Sequence, residues 1–116
     1  MRNFSKNVKR QIRELAALLY ERELDEELSK LDKHFEAWRN GELPPFDLAE
    51  KIHHFHQHPA RELYNRFSYD AALDMQVAYG IVCGKLKAEE VSLEVAEALA
   101  RHIGFYKSGM EDAQET

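Results

Sequence analysis

The sequence predicts an all-α protein, a helical bundle in which a long first helix is followed by three or four shorter ones. Three observations carry that expectation. From about Phe4 to Arg39 there is neither Pro nor Gly, and good helix formers dominate. Downstream, apolar residues recur at three- and four-residue spacing within segments bounded by Gly, Pro and Ser. No stretch alternates apolar and polar residues as a half-buried strand does, and neither a repeat nor a low-complexity block is present.

At 116 residues the chain suits one domain with one modest core, read as residues 1–107, and residues 108–116 are expected to form a flexible acidic tail. A composition 44% hydrophobic and 32% charged is that of a folded globular protein, neither depleted enough for disorder nor apolar enough for a membrane protein.

The elements follow in order. The first helix stops at Asn40 and Gly41, a left-handed cap position. Leu43, Pro44, Pro45 and Phe46 read as an extended connector, and Asp47 as the N-cap of a second helix, with Glu50 completing a near capping box. Leu48, Ile52, Phe55 and Pro59 form its apolar stripe, and Pro59 ends or bends it. Leu63 and Phe67 continue the periodicity. Ser68 is expected to cap a helix from Tyr69 to about Cys83, closed by Gly84. After a turn over 85–91, Ser92 caps a last helix with the stripe Val95, Leu99, Ile103 and Tyr106.

The first helix presents a conflict. Stepping about 100° per residue puts Phe4, Val8, Ile12, Leu15 and Leu19 on one side. Leu24, Leu28, Leu31, Phe35 and Trp38 cluster roughly 170° away by the same geometry. Either the helix breaks between Glu21 and Glu27, or it is straight and its halves bury opposite sides. The second reading leaves five large apolar side chains in need of a cover. It therefore predicts a homodimer, or a complex with another helical protein, held by Phe4, Val8, Ile12, Leu15 and Leu19. Lys6, Arg10 and Arg13 would then face Glu23, Glu26 and Glu27 of an antiparallel neighbour, contributing orientation more than affinity.

The chemically unusual feature is His53, His54, His56 and His58, ending against Pro59. Imidazole is the commonest metal-binding side chain, and residues four apart on a helix share one face. Glu50, His54 and His58 have that spacing, while Glu50 and His53 make the Glu-x-x-His pattern of carboxylate-bridged dimetal bundles. The second copy that such bundles require is absent from the sequence. Glu50, His53, His54 and His58 are accordingly the candidate ligands for a divalent transition metal, against a competing reading as plain surface histidines requiring no cofactor. Protonation of four clustered imidazoles is also expected to loosen this helix in acid.

Arg61 and Arg66, with His56, His58 and Tyr64, form a second candidate, an anion-holding pocket with proton-transfer groups, set against an exposed helix with local ion pairs. No nucleophile elbow, Gly-rich phosphate loop, HExxH motif or calcium loop is present, so catalytic and nucleotide-binding readings lack support. The single cysteine, Cys83, excludes an internal disulfide and reads as core filler. A net charge of −5 argues against nucleic acid, despite the basic run Lys6, Lys9, Arg10 and Arg13. No run of apolar residues approaches a membrane span, and Met1 opens a basic polar segment, so a cytoplasmic protein with no membrane contact is expected. The leading functional expectation is a non-enzymatic helical protein acting through self-association or protein contacts.

Overall fold

The computed structural model describes residues 1 and 3–115, with side chains described through residue 111; of the expected tail 108–116, residue 116 and the side chains of 112–115 lie outside what is described. The protein is all-α. The chain forms α1 (Lys6–Arg39), α2 (Pro45–Phe55), a π-turn (His56–Ala60), α3 (Arg61–Ser68) and a 3-10 turn (Asp70–Ala72). Then come α4 (Leu73–Val82), a second 3-10 turn (Ala88–Glu90), α5 (Leu93–Ala98) and α6 (Ala100–Glu115), with no strand among the described residues.

Local chemistry accounts for most boundaries. Ser5 opens α1, its hydroxyl accepting from the Val8 amide at 3.2 Å. Gly41 and Gly84 close α1 and α4 at φ +76°, where a side chain would be strained. At each, the amide one residue beyond the glycine reaches back five residues into the helix, Glu42 to Ala37 and Lys85 to Gly80, both at 2.9 Å. Ser92 caps α5, accepting from the Val95 amide at 3.2 Å and donating to Gln11 Oε1 at 2.6 Å.

Three expectations need correction. Helix α2 begins at Pro45, not after Asp47, because proline at the first helical position loses only an amide that has no intrahelical acceptor. Asp47 therefore sits inside the first turn, where a carboxylate favours the positive helix end. Ser68 ends α3 rather than starting the next helix, which begins at Leu73 after the 3-10 turn. The last helix is two, α5 and α6, separated at Leu99, whose backbone leaves the helical region at φ −97°, ψ 4°. Helix α6 runs from Ala100 to Glu115.

The chain forms two compact units, Met1–Leu19 with Phe67–Thr116, and Tyr20–Arg66. In the first, Val8, Ile12, Leu15, Ala16 and Leu19 of α1 pack with Leu73 and Val77 of α4, Leu86, Val95 and Leu99. Phe4 is partly buried against the same cluster. This corrects the interface expectation: the chain itself covers Val8, Ile12, Leu15 and Leu19, leaving no partner to be inferred from them. Gly80 permits the close approach, since a Cβ there would lie 2.7 Å from a methyl of Leu19. Asp74, also buried, accepts from the Met75 amide at 2.9 Å and lies 3.4 Å from Nε2 of His102.

Charges placed on an outer face by the sequence are used within the chain. Arg13 grips Asp70 with two bonds, 2.7 and 3.2 Å, and Arg10 bridges Glu14 and Asn7. Hydrogen bonding from Arg13 holds the Asp70 carboxyl below its ordinary value.

Candidate functional site

The second unit, Tyr20–Arg66, is a helical hairpin. Its first limb is the later part of α1, which runs unbroken through the region where a break was one of the two expected outcomes. Its second limb is α2, the π-turn and α3, a helical path that Pro59 deflects without ending. The ring of Pro59 clashes with the carbonyl four residues earlier in an α-helix and offers no amide. Widening one turn to five-residue spacing relieves the ring clash, and the π-turn lies around Pro59 at His56–Ala60.

Two clefts meet at Phe55. One, about 510 Å³, is polar: Glu27, Lys30, Leu31 and His34 come from α1, and Glu50, Lys51, His54 and Pro59 from the facing limb. Lys30 and Glu27 pair within it at 3.0 Å. The other, about 550 Å³, is mainly apolar, with Tyr20, Leu24 and Leu28 opposite Ala60 and Tyr64, and with His56, Gln57 and Arg61 supplying polar groups. At the end of the hairpin, Glu23 is buried and lies 3.2 Å from Nη2 of Arg66. That contact removes Arg66 from the expected anion pocket and Glu23 from the expected intermolecular pairing.

Two of the four clustered histidines line these clefts, one in each. His54 lines the polar one and His56 the apolar one. The His54 and His58 rings lie 4.6 Å apart by centroids with an interplanar angle of 35°. Glu50 shares the wall with His54, whereas His53 is exposed and lines neither cleft. Of the four expected ligands, only His54 and His58 are in mutual contact, and among the described residues no three His, Cys, Asp or Glu side chains are placed to hold one ion. Glu50 shares a cleft wall with His54 as their four-residue spacing implies, whereas His53 lines neither cleft. Sequence reasoning missed His34, which reaches the polar cleft from α1. A lone histidine many residues from the cluster gives no local signal.

Cys83 is partly buried, and no helix among the described residues is long and apolar enough to cross a membrane. No protein family, curated protein or solved structure matches this chain.

Proposed function

We propose that the chain acts through protein contacts, with the hairpin as its working surface, and that the contact it makes is with a second copy of itself. One observation carries this reading. The hairpin's only buried apolar residues are Leu48 and Leu63, while Leu28 (44% exposed), Trp38 (43%), Ile52 (40%) and Tyr64 (63%) face solvent. Two helices bury one stripe each and leave the flanks of both stripes wet. Two such hairpins packed together make a four-helix arrangement that covers those flanks.

A second copy suits the surface chemically. The apolar cleft has Arg61 and His56 at its edges, whereas the α1 limb carries Glu21, Asp25 and Glu26. A twofold arrangement sets the acidic limb of each hairpin beside the basic edge of the other, in the self-complementary manner of symmetric dimers. Sedimentation velocity in EDTA tests the reading. A dimer is expected for the wild type and a monomer for Leu28→Glu, with circular dichroism showing that the variant is still folded. A wild-type monomer across the concentration range overturns the reading.

A further inference from the structure

We propose that His54 and His58 form a two-imidazole chelate for a borderline divalent transition metal such as Zn2+ or Cu2+, with the remaining coordination positions left to water or an exchangeable ligand. The two residues are four apart, one on the last turn of α2 and the other inside the π-turn, and both are exposed. Their rings stand 4.6 Å apart with only 35° between their planes, so the pair is gathered on one side of the helix. Imidazole nitrogens favour this class of ion, and two of them on one helix face bind without the chain having to bring distant segments together.

The surroundings fit an open site. Glu50 lies one turn before His54 on the same cleft wall, where Lys30 and Lys51 balance it and Glu27 in charge, and His34 reaches the cleft from α1. No third side chain is placed to close the coordination sphere among the described residues. A structural zinc site has four protein ligands, whereas a site with fewer keeps positions where ligands exchange. The chemistry is therefore that of a loosely held, substitutable ion. This inference does not rest on self-association, because the apolar cleft assigned to the second copy contains neither His54 nor His58.

The test is isothermal titration of untagged full-length protein with ZnCl2, alongside thermal melts by circular dichroism with and without the metal. The expected result is one ion per chain and a zinc-dependent rise in melting temperature, since an ion that binds the folded helix stabilises it. His54→Ala and His58→Ala should each weaken binding by about tenfold or more, equivalent to about 1.4 kcal/mol, and abolish the melting shift. His53→Ala should leave both unchanged. All three positions are exposed, so the variants retain the fold. Absence of zinc binding by the wild type, equal loss in His53→Ala, or undiminished binding in the His54 and His58 variants overturns the proposal.

Discussion

The two units use their apolar side chains in different ways. In the unit of Met1–Leu19 and Phe67–Thr116, residues from α1, α4 and α5, together with Leu86 and Leu99, surround a common interior in which Ile12, Val77, Val95 and Leu99 are fully buried. In the hairpin, two limbs meet along a single seam holding Leu48 and Leu63, and the rest of the apolar surface opens into the clefts beside Phe55. Several helices can enclose an interior; two can only share an edge. Composition does not separate the regions, since both contain many large apolar residues. The number of elements available to cover them does.

That contrast breaks most readily through core truncations. Ile12→Ala should cost about 2–5 kcal/mol, read as a lower denaturant midpoint, whereas Ile52→Ala in the hairpin should cost well under that because its side chain already meets water. Equal losses at the two sites would erase the distinction. Gly80→Ala comes next, at about 1–3 kcal/mol, because the added Cβ would lie 2.7 Å from a methyl of buried Leu19, which must shift to admit it. Within the hairpin, Arg66→Ala removes the charge facing buried Glu23 and should cost about 1–3 kcal/mol, with Arg66→Lys restoring only part of it. The range is kept below that of a fully buried pair because the Arg66 side chain is 37% exposed.

Hydrogen exchange sharpens the comparison without mutation. Amides of α2 and α3 should exchange faster than those of α4, since opening the hairpin uncovers less apolar surface. The smallest effect belongs to pH. Asp70 titrates below its ordinary value in the folded chain, so its pairing with Arg13 contributes fully above the usual aspartate range and is lost as pH falls through the depressed value. Asp70→Asn should remove that segment of the acid-stability curve while leaving stability near neutrality slightly reduced.

Much of this fold could be read locally. Gly41, Gly84 and Ser92 mark their boundaries through chemistry confined to a few residues, and each acts as a cap in the structure. What failed depended on more than neighbours. Pro45 and Asp47 both suit a helix start, and the choice between them turns on one residue of register. The cover over Ile12 and Leu19 comes from residues more than fifty positions away, so a stripe that looked bare in isolation suggested a partner. The His54–His58 contact was legible as a four-residue spacing, while the separation of His53 and His56 from it required the direction of each side chain around a helix widened at Pro59.

The π-turn has a consequence for how this chain tolerates change in length. A five-residue turn is an α-turn with one residue added, so excising Gln57 would return the segment to ordinary helical pitch. The lost residue and the tighter pitch would offset each other, so Leu63 and Arg66 would keep their directions, while Pro59 would be left in an α-turn with which its ring clashes. Between Phe55 and Arg61 the chain thus takes up one residue that a regular helix would have to pass on as a rotation of about 100°. A one-residue deletion within α2, where no wide turn takes it up, would instead rotate everything that follows it.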